Sequence, residues 1–389
     1  MKIGITTFGG DGGQSGISQY IIHLLREFAS LQNGISFEVL VHEHERDLFA
    51  PDPGRMPSLG FGSGLRSPVL NVAWHQVALP GWCRRRGYDA LFLPAGNRRA
   101  PAFAPCPTVG TVHDFSSLHV KDKYDPARMF YITRVLPVLI RRFSRVITVS
   151  ESSKRDVVEY AGVPEGRVSV IPNGVDSRRY FPRDPEAAAA RICPRYGVRP
   201  PYVLFVSRIE HPGKNHVRLI RAFERLKASG HIPHQLVLAG SDRERADEVH
   251  RVASASSCAS DVVFTGFVPT QDLPDLHGGA DLLVFPSLYE GFGLPVLEAM
   301  ACGVPVACSN TSSLPEVAGD AAVLFDPYEE EEIAGAVRAL LTDAELRRRC
   351  ARLGLERSKT FCWSATARRT LDVIRSAIEE RSGCTKNLT

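Results

Sequence analysis

Two carboxylates with seven residues between them, Glu290 and Glu298, bracket the most chemically informative stretch of the 389-residue chain. The run 281–286 before Glu290 is apolar and reads as a buried strand. Gly291, Phe292, Gly293 and Leu294 then lead to Pro295, placed where a first helical position would be, so that its missing N–H costs little. A short apolar helix ends near Gly303. The loop therefore lies at the carboxyl end of a strand and feeds a helix N-terminus. Open α/β sheets bind ligands at such places, and backbone N–H groups there favour an anion.

Two cations belong to the same rim. The run 202–207 reads as a strand, and Arg208 and Lys214 follow its tip. Two strand-end cations near a glycine-rich helix N-terminus suit a diphosphate, although surface cations of no special role also occur at such positions. Glu290 and Glu298 need another partner, because ionised carboxylates only accept hydrogen bonds. Sugars and riboses supply pairs of hydroxyls. Two carboxylates also serve as the acid/base pair of glycoside hydrolases. Glu298, on a helix within an apolar run, is better placed to hold a ligand hydroxyl than to reach an anomeric carbon.

The elements that must position these residues form two series. In the first, strands are predicted at 2–8, 36–42, 88–94, 108–112, 145–150 and 168–171. The first strand opens into a run from Gly9 to Gly16 and then a helix. The glycine spacing is not that of a dinucleotide-binding loop, since Ser15 stands where that pattern needs glycine. A phosphate-friendly loop and a flexible connector both remain open. The run 42–46 contains two histidines and two glutamates at the wrong spacing for a metal on one helix face and reads as a polar strand end. Residues 51–68 read as a loop. The strand at 108–112 ends at His113, whose place at a parallel strand's carboxyl tip points to a ligand crevice. Residues 126–143 read as a basic amphipathic helix interrupted at Pro137. A Pro-, Arg- and Ala-rich linker is expected up to about 201.

The second series has strands at 202–207, 235–239, 262–264, 282–285, 304–307 and 322–325, with helices between them. Alternation that restarts after a break implies two doubly wound α/β domains, with the crevice between them as the default site. The expected boundaries are 1–176, joined by a C-terminal helix at 365–389, and 177–364.

Composition narrows the classes. The chain is 44% apolar and 23% charged, with a net charge of +4, and has no basic stripe interleaved with aromatics to suggest nucleic acid. Arginine clusters occur at 84–86 and at 141, 142 and 145, and are compatible with solvent, phosphate or a membrane surface. Nine scattered cysteines without a Cys-x-x-Cys fit a reducing compartment. No apolar run approaches a membrane span, and the N-terminus lacks a signal peptide's apolar region. The expectation is a cytoplasmic protein that at most touches the inner membrane face.

The run from Pro286 to Val306, with its Glu–seven–Glu spacing, resembles the motif of family 4 glycosyltransferases. So do the N-terminal glycine loop, His113, Ser150-Glu151-Ser152, the run 171–176, Arg208 with Lys214-Asn215, and Gly266-Phe267-Val268. The resemblance covers nearly the whole chain. It implies the GT-B fold, with two Rossmann-like domains facing a central crevice, and a retaining enzyme using a nucleoside-diphosphate sugar as co-substrate, without a cofactor. Carried over by position, Arg208 and Lys214 bind the donor diphosphate, Glu290 the transferred sugar and Glu298 the ribose. Gly291, Phe292, Gly293 and Leu294 meet sugar or phosphate, and Val268 lines the base. His113 lies near the anomeric carbon and Gly10 near acceptor and diphosphate. The N-terminal glycine run is longer and more polar than the family's usual pair.

The chain contains no Asp-x-Asp, so no metal is expected. Segments around Trp74-His75-Gln76, 94–99 and 210–215 resemble bacterial polysaccharide-assembly members, many of them mannosyltransferases. A glycan or lipid-linked acceptor is the implied partner. A soluble natural-product acceptor, a non-catalytic nucleotide-sugar sensor and a phosphorylase of the same fold are the alternatives.

Overall fold

The structure is a computed structural model that describes residues 1–31, 34–50, 52, 54–120, 124–230 and 232–386. The chain divides into two compact units. The first comprises Met1–Phe115, Tyr124–Gly174 and Trp363–Thr389, and the second Ser116–Lys123 and Val175–Cys362.

Seven strands build the sheet of the first unit: β1 (Lys2–Thr6), β2 (Ser36–His42), β3 (Ser58–Phe61), β4 (Ala90–Leu93), β5 (Thr108–Val112), β6 (Arg145–Thr148) and β7 (Val168–Val170). Their order is β3-β2-β1-β4-β5-β6-β7, and every pairing is parallel. The central strands carry no solvent face. Ile3, Ile5, Val39, Leu91, Phe92 and Val109 are all fully buried, as a parallel sheet covered by helices on both sides requires.

The second unit has β8 (Tyr202–Val206), β9 (Gln235–Ala239), β10 (Val262–Gly266), β11 (Leu282–Phe285), β12 (Val306–Ser309) and β13 (Ala322–Phe325). They are ordered β10-β9-β8-β11-β12-β13, again all parallel. In each sheet the chain builds outward in one direction, returns to the middle and builds outward in the other. The reversal falls between β1 and β4 in the first sheet and between β8 and β11 in the second. Loops leaving the carboxyl ends of these neighbouring strands diverge and leave a crevice, the usual ligand position in doubly wound sheets.

Several sequence expectations need correction. The segment 51–68, read as a loop, contains β3, which pairs with β2 from Val39↔Ser58 to His42↔Phe61. Its four residues are half-buried at a sheet edge and include Gly60, so no alternating pattern announces it. The polar run after β2 is not a strand end but a turn of 3-10 helix, Glu43–Glu45. The expected linker before β8 holds a helix, Pro185–Tyr196. Asp184 caps it by accepting from the Ala187 N–H at 2.8 Å, with Pro185 in the first turn. Arg191 grips Asp275 through two bonds of 2.9 and 2.8 Å, and Arg195 reaches Asp272 at 3.0 Å. That helix is part of the second unit's wall. Near residue 137 the helix is not broken. The stretch runs without a gap through Pro126–Phe130, a π turn at Tyr131–Val135 and Leu136–Arg141, and Pro137 is accommodated inside it directly after the π turn, where the Leu136 N–H bonds Tyr131 O.

The last helix, Trp363–Lys386, belongs to the first unit. Its Trp363 ring stacks on His23 of the Gly16–Ser30 helix at 5.0 Å, and Leu371 and Ile374 are buried. Among the described residues, no helix is long and apolar enough to cross a membrane.

Three buried imidazoles in the first unit set an acid limit to its stability. Burial lowers His42, His75 and His113 from the ordinary histidine value to about 4. Above about pH 6.5 they are neutral folded and unfolded and contribute nothing. As pH falls from 6.5 towards 4 the unfolded chain gains protons that the folded chain refuses, so stability drops, by up to roughly 3 kcal/mol per group at full expression. Thermal denaturation is expected to show Tm falling steadily from pH 7 to pH 5, with a shallower fall in His75→Gln. A Tm independent of pH across that window contradicts this account.

Candidate active site

The reversal between β8 and β11 brings together the residues singled out in the second unit. β8 pairs with β11 through Val203↔Leu282 and Leu204↔Leu283, so the loops at 207–215 and 286–293 leave adjacent strand ends. Lys214 Nζ donates to Glu290 Oε1 across them at 2.6 Å, and both side chains are largely shielded from solvent. Arg208 pairs with the buried Glu210 carboxylate at 3.1 Å. The two cations are therefore not unpaired charges awaiting an anion, as their positions alone suggested. Each is held against a carboxylate.

The 286–293 loop has no secondary structure, so its backbone polar groups depend on neighbours. Asn215, itself in a left-handed conformation (φ 63°), donates from Nδ2 to Pro286 O at 3.1 Å and to Pro327 O at 2.7 Å. The Leu288 N–H donates to Gly213 O at 3.0 Å. The segment after β12 supplies the rest. Thr311 Oγ1 donates to Leu288 O at 3.1 Å, and the Glu290 N–H donates to Ser312 Oγ at 3.0 Å. The fully buried Ser313 hydroxyl faces Glu290 O at 2.9 Å and Phe292 O at 2.8 Å, one proton shared between two carbonyls. His119 stacks on Tyr289 with ring centroids 4.1 Å apart and planes within 6°.

Gly293 caps the Leu294–Ala301 helix at φ 108°, a conformation open to glycine, and a Cβ there would lie 2.7 Å from Leu314. Pro295 is thus in the helix's first turn, one position later than the sequence spacing implied. The N–H groups of Phe292, Gly293 and Leu294 have no acceptor among the described residues. They form the donor set that an anion at this helix N-terminus would meet.

Glu298 lies one turn further on. Its Oε2 is 3.8 Å from Nε2 of the fully buried His277, and the Tyr180 ring is 6.1 Å from that imidazole. Burial foremost, and then the Glu298 charge, holds the Tyr180 phenol well above its ordinary range. The Tyr180 hydroxyl and both His277 nitrogens have no hydrogen-bond partner among the described residues. Sequence reasoning missed both residues: Tyr180 sat in the supposed linker, and His277 in a short helix without a motif. Val268 is buried just beyond β10.

The first unit repeats the arrangement at its own reversal. Arg98, after β4, donates to Gly9 O at 2.7 Å, after β1. His113 Nε2 lies 2.8 Å from Pro94 O, which can only accept, so this nitrogen carries the proton and Nδ1 is the acceptor. Tyr20 meets the ring edge-on at 4.8 Å. The glycine run is tied down at several of its N–H groups. Gly10 N–H donates to Thr7 O at 2.8 Å, Asp11 N–H to Ser18 Oγ at 3.0 Å and Gly12 N–H to Glu45 Oε1 at 2.9 Å. Asp11 Oδ1 accepts from the Ser15 N–H, Ser15 Oγ and Ser18 Oγ. Gly10 is required for space, because a Cβ would sit 2.7 Å from the Phe49 ring. Glu45, dismissed in the sequence as part of a polar strand end, turns out to anchor this loop.

Known proteins share this architecture. The model of "Glycosyltransferase Family 4" matches residues 14–179, and that of "Glycosyl transferases group 1" matches residues 195–357. The O-antigen chain mannosyltransferase B of Escherichia coli is 30% identical over 378 residues, covering 92% of this chain and 95% of that one. This chain is a family 4 glycosyltransferase. It also matches the serotype-specific mannosyltransferase WbdA of Escherichia coli, at 31% identity over 306 residues. That match covers 76% of this chain and 36% of WbdA, so the chain spans about a third of that longer enzyme. The crystal structure of Anabaena HepE with UDP and glucose superposes with a TM-score of 0.75 at 21% identity, covering 97% of this chain and all of that one. The fold of this glycosyltransferase is GT-B, with two parallel Rossmann-like sheets.

Because one buried hydroxyl serves two carbonyls of the Glu290 loop, Ser313→Ala leaves both short of a donor. The variant is expected to lose about 1–3 kcal/mol of stability, read as a lower urea midpoint at unchanged slope. A midpoint equal to that of the parent protein argues that Ser313 does not hold the loop.

Proposed function

We propose that this glycosyltransferase moves a hexose, mannose by kinship with the Escherichia coli enzymes, from a nucleoside-diphosphate sugar to a hydroxyl of a growing glycan or lipid-linked saccharide, with retention of anomeric configuration. The observation that carries the reading is the grouping at the β8/β11 reversal. Lys214 and Arg208, the Glu290 carboxylate and the N–H groups of Phe292, Gly293 and Leu294 converge there on adjacent strand ends.

The chemistry follows from charge. Departure of a nucleoside diphosphate develops negative charge on its phosphate oxygens. Arg208, Lys214 and the helix N-terminus supply fixed donors for it. Glu290 accepts from hydroxyls of the transferred sugar, and its ion pair with Lys214 couples sugar and phosphate recognition. Glu298 accepts from the ribose hydroxyls, Gly291 lies against the donor, and Val268 lines the base. In the first unit His113 offers a neutral imidazole with Nδ1 as acceptor near the anomeric carbon, and Gly10 gives close approach rather than an N–H. Retention is accounted for by attack on the face the diphosphate leaves, the departing phosphate oxygen taking the acceptor's proton. The cations perform the charge stabilisation, and neither metal nor cofactor is assigned a part. The acceptor places the enzyme on the cytoplasmic side, at the inner membrane face.

A panel of nucleotide sugars screened by thermal shift and slow donor hydrolysis identifies the donor, since a ligand binding only the folded state raises Tm. Lys214→Ala and Glu290→Ala are each expected to lower turnover at least a hundredfold, about 2.7 kcal/mol or more in the barrier, with folding checked by circular dichroism. Near-parental rates in both folded variants would sink the assignment. Chelator is expected to leave the rate within about twofold. Abolition by EDTA and recovery with a divalent ion would contradict the metal-free step.

A further inference from the structure

In the second unit, unpaired polar atoms gather around one carboxylate. They are the Tyr180 hydroxyl and both ring nitrogens of His277, and the carboxylate is Glu298. His277 is fully buried and Tyr180 is 4% exposed, so bulk solvent does not satisfy them. Polar groups shielded without partners cost free energy, and a phenylalanine and a leucine in these two places would avoid that cost.

The imidazole sits on a firmly held base. His277 lies in the short helix Leu273–Gly278. Besides Arg191, Arg183 reaches Asp275 of that helix at 3.2 Å. Asp272, just before the helix, accepts from the Tyr196 hydroxyl at 2.7 Å as well as from Arg195. The buried Tyr202 hydroxyl donates to Leu276 O at 2.7 Å. Arg183 also donates to Arg179 O at 2.9 Å, which ties the same helix to the turn bearing Tyr180. That turn is closed by the Tyr180 N–H donating to Asp176 O at 2.8 Å. Side chains on so fixed a base keep their direction, which is what a residue needs in order to orient another.

The chemistry of the three groups is complementary. An ionised carboxylate accepts and cannot donate. A phenol and a neutral imidazole each bring a donor, and neither has another acceptor among the described residues. Burial raises the Tyr180 phenol well above its ordinary range, so it keeps its proton. His277 Nε2 lies 3.8 Å from Glu298 Oε2. That is roughly 1 Å longer than a hydrogen bond, a gap that a rotation of the glutamate side chain closes. Glu298 is on the Leu294–Ala301 helix, so its other oxygen is free to meet a ligand on the rim side.

We propose that His277 and Tyr180 are positioning residues for Glu298. The imidazole Nε2–H and the phenol O–H donate to Oε2 from the buried side, and the remaining lone pairs of the carboxylate are thereby aimed at the vicinal hydroxyls of the donor's ribose. The pair makes the site selective for a ribonucleotide over its deoxy forms. A site built to bond a hydroxyl rejects the analogue that lacks it, because its own groups are then left unpaired. This rests on the reading of Glu298 as the ribose-binding residue.

The test is isothermal titration of the full chain with GDP, UDP and ADP, taking the one that binds most tightly, and then with its 2′,3′-dideoxy counterpart. The parent protein is expected to prefer the ribose form by about tenfold or more, and Glu298→Ala to lose that preference. Tyr180→Phe and His277→Leu are each expected to weaken the ribose form about fivefold or more and to leave the dideoxy form within about twofold, so the ratio collapses. His277→Gln, whose amide offers an N–H near the position of Nε2, is expected to restore part of the ratio. Without ligand, the Tm of Tyr180→Phe is expected to be at or above the parental value, because a buried hydroxyl without a partner has been removed. A purely packing role predicts a lower Tm with an unchanged ratio, and that result in Tyr180→Phe and His277→Leu overturns the proposal. Should His277→Leu fail to fold, Tyr180→Phe decides, since it removes a single oxygen atom. A parent without ribose preference, or a Glu298→Ala variant that keeps it, removes the ribose reading and this inference with it. Preference lost in Glu298→Ala but intact in the other two variants removes this inference alone.

Discussion

A stretch of backbone that leaves β11 without joining any helix or strand must still find partners for its carbonyls and N–H groups. Unpaired polar groups in a shielded position cost as much as lost hydrogen bonds. The 286–293 loop meets this demand with side chains from two other loops. Asn215 takes Pro286 O, Thr311 takes Leu288 O, and Ser313 takes Glu290 O and Phe292 O. Everything assigned to the donor site hangs on that tethering. It fixes Glu290 where Lys214 can reach it, and it fixes Gly293 so that the next helix starts with its N–H groups turned to the loop. A catalytic group on a rigid scaffold loses little entropy when substrate arrives, which is the advantage of holding an irregular segment still.

The electrostatics are those of compensated pairs. Arg208 with Glu210 and Lys214 with Glu290 leave the rim close to neutral, apart from Glu298 and the helix end. A neutral rim discriminates. An isolated cationic pocket would accept any polyanion. On the proposed reading a diphosphate would share Lys214 with Glu290, and the attached sugar hydroxyls would satisfy the carboxylate whose cation is being shared. A ligand with only one of the two chemical parts leaves part of the pair under-satisfied.

Much of this was legible in the sequence because the relevant signals are local. Apolar runs such as 282–285 mark buried parallel strands, and glycine, proline and carboxylate spacing between 290 and 298 marks a strand-to-helix loop. What escaped is carried by contacts across the fold. β3 has no period because an edge strand of four residues needs none, and its partner β2 defines it. The 185–196 helix was hidden by prolines that initiate a helix as readily as they break a linker. Ser313, Tyr180 and His277 bear no motif. Their importance lies in what they face, and a serine 23 residues from the carbonyl it serves leaves no mark in local spacing. The glycine run was harder to read: its composition suggested either freedom or an anion cradle, and it does not show that Ser18, Glu45 and Asp11 accept from the Asp11, Gly12 and Ser15 N–H groups.

The placement of the Trp363–Lys386 helix has a consequence for how the polypeptide is made. It packs along β4, β5 and β6 and buries Leu371 and Ile374, so the first sheet lacks part of one wall until residues 363–386 have been translated. Val175–Cys362, by contrast, is complete in sequence before that helix emerges. During synthesis the later-encoded unit can therefore close first, while the earlier-encoded one waits at the ribosome with apolar strand surface uncovered, a state in which chaperones and aggregation compete. Truncations that remove residues 363–386 consequently strike the first unit, whose strands are all encoded upstream of Val175.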